Sequence, residues 1–332
     1  MYTNEHIKQN IKPEDSSYLL YANQRNPDVR QESYQKRAYL RLGKRALLRL
    51  GKRAYIRLVG GQNYSNSVVT MDLITKEIKI AGQLLNGRKS HTSSRIDNHA
   101  YIWGGYCCKK IERYDVHTNK TQEIKCRLDN VIDSLSSVVH DSKLFQIGGF
   151  SCKKTIDTVK YLDFEKCAFI NESKLIVPDM WHDSIVIDSN IYTTPGAYCK
   201  NIQRRDLRER NWQLMRKVIP NKTYRNAVCS LGQTNIVCIG GWNLDSEVYS
   251  DCFVFDIRAD DWRQIEPLPK ALKAAQACET TKEIIVFGGI QSDHTYDSCI
   301  NEILCYDKNE NTWTKLDQNL PFPNGWSTKV TF

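Results

Sequence analysis

An all-β fold of six similar units is predicted by three recurring features of this 332-residue sequence: a glycine doublet, a short apolar run before it, and an aspartate followed six residues later by a bulky side chain. The doublets are Gly60-Gly61, Gly104-Gly105, Gly148-Gly149, Gly240-Gly241 and Gly288-Gly289. The first three stand 44 residues apart and the last two 48, and the gap of 92 between the third and fourth has room for one more unit, with Pro195-Gly196 at its middle.

The runs Tyr55 to Val59, Ala100 to Trp103, Leu144 to Ile147, Ile191 to Thr194, Asn235 to Ile239 and Glu283 to Phe287 are rich in β-branched and aromatic residues. They are too short for stable helices and read as buried second strands. A third strand then ends at Asp72, Asp115, Asp163, Asp206, Asp256 or Asp307, and six residues on stands Ile78, Thr121, Phe169, Trp212, Trp262 or Trp313. The three Trp are expected to pack in the core rather than to serve a site. Glycine suits the end of a second strand because the chain there approaches a neighbour closely or needs φ > 0. One four-stranded unit cannot cover both its faces, so a period of 44 to 48 residues implies blades stacked radially.

The doublet, the Tyr-Asp pairs at Tyr114-Asp115 and Tyr306-Asp307, and the later Trp resemble the kelch motif over residues 54–332. The resemblance implies a six-bladed kelch β-propeller. The first unit opens at its second strand, and Gly325 to Phe332 reads as a first strand, so the C-terminal strand is expected to complete blade one and leave no open sheet edge. The resulting division is a disordered basic segment at 1–53 and a propeller at 54–332.

In Kelch-like adaptors the face carrying the second-to-third-strand loops and the blade-to-blade segments captures protein substrates. Carried onto this chain, that face holds Tyr106, Lys109 and Lys110, then Lys153 and Lys154, then Tyr198 and Lys200, then Trp242 and Tyr296, with Arg88 and Arg225 from blade-to-blade segments. The lysines and arginines are expected to clamp an acidic peptide, and the aromatics to anchor it. The next two loops supply Asp245, Glu247, Asp251, Asp293 and Asp297, so the face has a basic and an acidic half. Adaptors of this kind join a cullin-type ubiquitin ligase through BTB and BACK domains, which the tail is too short to contain. The expected role is substrate recognition, with any ligase reached through a missing or separate BTB protein, the chain being either a truncated adaptor or a free-standing module; an actin-associated scaffold is the alternative.

Residues 1–58 carry 13 Lys or Arg against 5 Asp or Glu, and the rest carry 34 against 33. The excess charge belongs to the tail, and a nearly neutral body lacks the basic stripe that nucleic-acid binding requires. With no 18-residue apolar run and no apolar h-region at Met1 to Asn10, a cytoplasmic chain without membrane insertion is expected. Twelve cysteines in a chain this long read as reduced thiols: Cys229, Cys238 and Cys278 in the core, Cys107, Cys108, Cys152 and Cys199 in loops. There is no C-x-x-C pair, catalytic elbow or phosphate loop, and the seven His are too scattered for the copper site of a galactose-oxidase-like kelch enzyme. No metal, no cofactor and no catalysis are expected.

Residues 36–58 hold a second repeat of period eight, with dibasic pairs Lys36-Arg37, Lys44-Arg45 and Lys52-Arg53 and with Gly43 and Gly51 after two pentapeptides. It resembles an Arg-Leu-amide, myomodulin-like neuropeptide precursor, which implies cleavage at the pairs and amidation from the glycines. Without a signal peptide, a basic linker or membrane-surface segment is the other reading.

Overall fold

The computed structural model describes residues 54–61, 63, 65–106, 108–209, 211–291 and 298–332. The segment expected to be disordered, the dibasic pairs within it, Cys107 and Tyr296 lie outside these residues.

Every apolar run expected to form a second strand does so. β1 (Tyr55–Val59), β2 (Ser67–Asp72) and β3 (Ile78–Gln83) pair antiparallel. β4 (His91–Ile96), β5 (His99–Gly104), β6 (Lys110–Asp115) and β7 (Lys120–Arg127) make the second sheet. Next come β8 (Ile132–Asp133), β9 (Ser136–His140), β10 (Lys143–Ile147), β11 (Phe150–Ser151), β12 (Lys154–Thr155), β13 (Thr158–Asp163) and β14 (Ala168–Lys174). Of these, β9, β10, β13 and β14 form the third four-stranded sheet, and β8, β11 and β12 form a small one beside it. The fourth sheet is β15 (Ser184–Ile187), β16 (Asn190–Thr193), β17 (Asn201–Asp206) and β18 (Trp212–Val218). The fifth is β19 (Ala227–Leu231), β20 (Asn235–Ile239), β21 (Cys252–Asp256) and β22 (Asp261–Ile265). The sixth is β23 (Gln276–Glu279), β24 (Glu283–Phe287), β25 (Ile303–Asp307) and β26 (Thr312–Lys315). The last strand, β27 (Thr328–Thr331), pairs with β1, Ile56 opposite Thr331 and Val59 opposite Thr328. Tyr55 and Phe332 exchange two backbone hydrogen bonds at its end, 3.1 and 2.8 Å.

The apolar residues fall into six clusters, each shared by two sheets. Val59, Val68, Ala100 and Ile102 join the first sheet to the second; Trp103, Ile111, Leu144 and Leu162 join the second to the third. Ile147, Val159 and Ile191 link third to fourth, Tyr192, Ile202, Ile236 and Phe253 fourth to fifth, and Val237, Val254, Ile284 and Leu304 fifth to sixth. The last cluster sets Ile285, Phe287 and Ile303 of the sixth sheet against Ile56, Leu58 and Met71 of the first. Burying one such side chain stabilises by about 1.5–3 kcal/mol, so each sheet depends on its neighbours.

The recurring aspartates have a defined task. Asp72, Asp115, Asp163, Asp256 and Asp307 each accept hydrogen bonds from the backbone N–H groups two and three residues on, at 2.8–3.1 Å. The next residue of each turn, Lys76, Asn119, Cys167, Asp260 or Asn311, then takes φ between 50° and 64°. The bulky residue after it reaches back to the preceding sheet: the indole N–H of Trp212 donates to Ser173 Oγ at 3.0 Å, that of Trp262 to the Lys217 carbonyl at 3.3 Å, and that of Trp313 to the Glu266 carbonyl at 2.8 Å. These half-buried tryptophans pack on the shared apolar clusters, as expected, and also bridge sheets at their outer strands.

At the doublets the second glycine donates its N–H into the segment leading to the next sheet: Gly61 to the Arg88 carbonyl, Gly105 to Ile132, Gly149 to Asp179, Gly241 to Leu272 and Gly289 to Asn324, at 2.7–2.9 Å. At Gly240, φ is +61° and a Cβ would stand 2.2 Å from the Leu272 carbonyl oxygen. The cysteines expected in the core are there, and burial raises the Cys229 and Cys278 thiols to about 12. Cys199, expected in a loop, is also buried, and burial raises its thiol to about 11. Among the described residues no helix is long and apolar enough to cross a membrane.

Two outcomes follow. Gly240→Ala should lower the unfolding free energy by about 2–5 kcal/mol through left-handed strain plus overlap. Gly232→Ala, also at positive φ but with nothing near its Cβ position, should cost only about 1–2 kcal/mol; urea unfolding compares them. Backbone N–H groups hold the Asp115, Asp163, Asp256 and Asp307 carboxyls below the usual range. Their stabilisation is therefore complete above the unfolded-state pKa of about 4 and is lost as pH falls through the lower native values, which acid unfolding followed by fluorescence will register.

Candidate functional site

The first strands β4, β9, β15, β19, β23 and β27 surround one cavity of about 410 Å³. Its wall is rich in hydroxyls: Thr92 meets Ser137, Ser136 meets Ser184, and Ser93 donates to Thr328, all at 2.5–2.6 Å. Lys329 sends its ammonium across the cavity to the Val228 carbonyl and lies 3.9 Å from Asp183. Burial lowers His91 to about 3 and His182 to about 4, so both wall imidazoles are neutral at pH 7.

One end of the cavity has a rim of repeated geometry. Ser90, Ser134, Trp181, Arg225, Ala274 and Trp326 each stand one to three residues before a first strand, and all have φ between 53° and 61°. Their backbones form a chain in which Ser134 N–H donates to the Ser90 carbonyl, Trp181 to Ser134, Arg225 to Trp181, Ala274 to Arg225 and Trp326 to Ala274. This backbone chain sets three large side chains side by side. The Arg225 guanidinium carbon lies 3.7 Å from the Trp181 ring centre, 3.9 Å from Trp326 and 5.0 Å from Trp242. Trp181 stacks on Tyr224 at 5.6 Å and 11°. Lys200 Nζ stands 4.4 Å over Tyr224, and the buried Lys273 Nζ stands 3.9 Å over Trp242. Three cations are thus held among four aromatic rings, each contact contributing about 0.5–2 kcal/mol.

Of the expected site residues, Lys200, Arg225 and Trp242 come together in this cluster. Tyr198 is exposed on the same loop as Lys200, while Tyr106 is exposed with Lys89 over its ring. The first lysine group is less available than expected. Lys109 donates to the Asp129 carbonyl at 2.6 Å, and Lys110 pairs with Glu123 of its own sheet at 2.8 Å. Lys153 and Lys154 are exposed, on the β11–β12 hairpin rather than a plain loop, and Lys154 borders a recess of about 190 Å³ that Asp129 also lines. Arg88 is a correction: it is fully buried, donating to Glu112 at 2.8 Å and to the Gly104 carbonyl at 3.1 Å. Glu112 also accepts the Leu85 and Asn86 backbone N–H groups, so this ion pair anchors the segment between the first two sheets and does not face a partner.

Trp181, Tyr224, Lys273 and Trp326 are additions. Trp181 and Trp326 had a signal in the repeated register one to three residues before each first strand, but side chains as different as Ser, Ala, Arg and Trp occupy it. In the acidic half of the face, Asp293 and Asp297 lie outside the described residues, and the side-chain amide oxygen of Asn243 accepts the Asp245 and Glu247 backbone N–H groups at 2.9 and 3.0 Å.

The Pro195-Gly196 departure has a local cause. The Asp179 carboxylate lies where a Cβ on Gly196 would be, 2.3 Å away, and accepts the Met180 and Tyr198 backbone N–H groups at 3.0 Å. Burial raises Asp179 to about 7 and lowers nearby Lys200 to about 8. Below pH 4 Asp179 is neutral in both folded and unfolded chains; as pH rises to 7 the unfolded chain ionises first, so stability is lost over that window. Asp179→Asn, which keeps the accepting oxygen, should therefore be more stable than the native chain by on the order of a few kcal/mol at pH 8 and equal to it near pH 4, as read by urea midpoints.

Comparison with known proteins agrees with this geometry. The Kelch motif family model matches residues 223–269, from Thr223 beside Arg225 to the end of the fifth sheet. Kelch-like protein 25 of Xenopus tropicalis is 23% identical over 244 residues, 68% of this chain and 41% of that protein. Kelch repeat protein C2 of vaccinia virus (strain Western Reserve) is 25% identical over 115 residues, 33% of this chain and 22% of that protein. The cowpox virus protein of the same name (strain GRI-90 / Grishak) matches to the same extent. The chain spans well under half of each of these relatives. The motif and the weak similarity support kelch repeats in this all-β chain.

Proposed function

We propose that residues 54–332 are a six-bladed kelch propeller closed by β27 in blade one, and that it binds an acidic segment of a partner protein at the rim of its central cavity. The six shared clusters and the β27–β1 ladder support the ring. The observation that carries the binding reading is Arg225 held between Trp181 and Trp326, with Lys200 and Trp242 beside it. A planar guanidinium between two indoles meets a ligand through its edge, the geometry that favours a carboxylate, and the rings offer apolar area of the kind that dominates interface energies. Tyr106, Lys109, Lys153, Lys154 and Tyr198 form the outer rim, Lys110 contributing less because it is paired. The role is non-enzymatic substrate recognition in the cytoplasm for a cullin-type ligase. At the end of the dibasic array, Tyr55 to Leu58 lie within β1 and its pairings, which favours the propeller over the peptide precursor there.

Proximity labelling in cells tests this reading. Reversing Lys200 and Arg225 to Glu should lower recovery of the partners at least tenfold, with the far-ultraviolet spectrum unchanged, whereas Lys110→Glu should change it less than twofold. Equal recovery from the native and doubly reversed chains would remove the rim from the binding surface. Recovery of actin without cullin subunits would replace the adaptor role with a cytoskeletal one.

A further inference from the structure

Away from the loop face, two cysteines meet across a sheet boundary. Cys126, near the end of β7 in the second sheet, has its Sγ 2.7 Å from Sγ of Cys167, in the turn between β13 and β14 of the third. Cys126 is buried and Cys167 half-buried, and both pack on the cluster that joins these two sheets. A disulfide bond is about 2.05 Å long, so the sulfurs need approach by well under 1 Å.

The position is not an arbitrary one. Cys167 occupies the left-handed place in its aspartate turn, φ 50°, with the Asp163 carboxylate fixing the turn through the Glu165 and Lys166 backbone N–H groups. Elsewhere this place supplies a polar bridge to the preceding sheet. Asp260 accepts the Arg216 backbone N–H at 3.0 Å and its Nε at 2.9 Å, and Asn311 accepts the Glu266 backbone N–H at 3.4 Å. At the boundary between the second and third sheets a thiol pair stands in that role.

We propose that Cys126 and Cys167 form a reversible disulfide that staples the second sheet to the third, made by oxidation with a peroxide. The Cys167 thiolate, nearer the surface, attacks the peroxide oxygen; an S–O bond forms, the O–O bond breaks, and hydroxide leaves as water. The Cys126 thiol then gives up its proton and attacks the Cys167 sulfur; the S–S bond forms, and the S–O oxygen leaves with that proton as a second water. Two thiols lose two electrons and two protons, and hydrogen peroxide is reduced to two waters. Burial, which raises the Cys126 thiol to about 11, makes it the resolving partner rather than the first to react. A cross-link of this kind suits a reducing compartment, where disulfides are transient and redox-sensing.

The test uses the purified full chain, reduced, freed of reductant, treated with a few equivalents of hydrogen peroxide, blocked with iodoacetamide and digested without reductant. Mass spectrometry should find the Cys126 and Cys167 peptides joined, two hydrogens lighter than their sum and separated by dithiothreitol. In Cys126→Ser the link should vanish and trapping of Cys167 by dimedone should rise at least fivefold. Oxidation should shift the urea midpoint of the native chain upward, and that shift, measured against each chain's own reduced form, should be absent from Cys167→Ser. Both thiols recovered alkylated, Cys167 joined to a different cysteine, or an upward shift that persists in Cys167→Ser would overturn the proposal.

Discussion

Each sheet in this molecule has two apolar faces and can cover neither by itself. Everything else follows from how that constraint is met. The six clusters are shared between successive sheets, and the sixth sheet meets the first through Ile285, Phe287, Ile56 and Met71. An all-or-none dependence results: removing one sheet would expose a face on each of two others, at about 25 cal/mol for each Å² of apolar surface returned to water. The outer strands add polar bridges at the same boundaries, from Trp212, Trp262 and Trp313 and from the left-handed turn residues Asp260 and Asn311.

Packing sheets in this way also builds the candidate site. The segment between two sheets has to leave an outer strand and enter a first strand, and it turns through a residue in the left-handed region each time. Ser90 and Ser134 do so with small side chains, Trp181, Arg225 and Trp326 with large ones. The repeated backbone geometry therefore concentrates chemistry on one side of the rim, and the hydroxyl-lined cavity below it is the common inner surface of the first strands. Loop hydrogen bonds fix the surroundings: Tyr224 and Trp242 exchange backbone bonds at 2.8 and 2.9 Å, which ties the fifth sheet's long loop to the segment carrying Arg225.

The strands were legible in the sequence because their cause is local. A doublet that needs positive φ and an aspartate that accepts two nearby N–H groups leave fixed residue types at fixed spacings, and so the second and third strands begin and end where those residues stand. The site was legible in part. Arg225, Trp242 and Lys200 could be assigned to one face from topology, but which side chains meet there depends on register between distant segments. Arg88 illustrates the difficulty: like Arg225 it lies in a segment between two sheets, but the facing Glu112, 24 residues away, and the Gly104 carbonyl turn it inward. Trp181 and Trp326 escaped notice because the position they share with Ser90 and Ala274 is conserved in backbone conformation, not in side chain. The Cys126–Cys167 approach is likewise a product of sheet-to-sheet contact, 41 residues apart in sequence, and neither residue stands out by composition.

The ring stands or falls on the pairing of the C-terminal strand with the strand that opens the first sheet. Amide hydrogen exchange resolved to residues 55–59 and 328–332 is the most direct measurement of it. If the ring is closed as proposed, the paired amides of both strands exchange as slowly as those of β20 and β24 and are released together with them in one cooperative opening. Rapid exchange over 328–332 while β20 and β24 stay protected would contradict it, because the first sheet would then stand without its fourth strand.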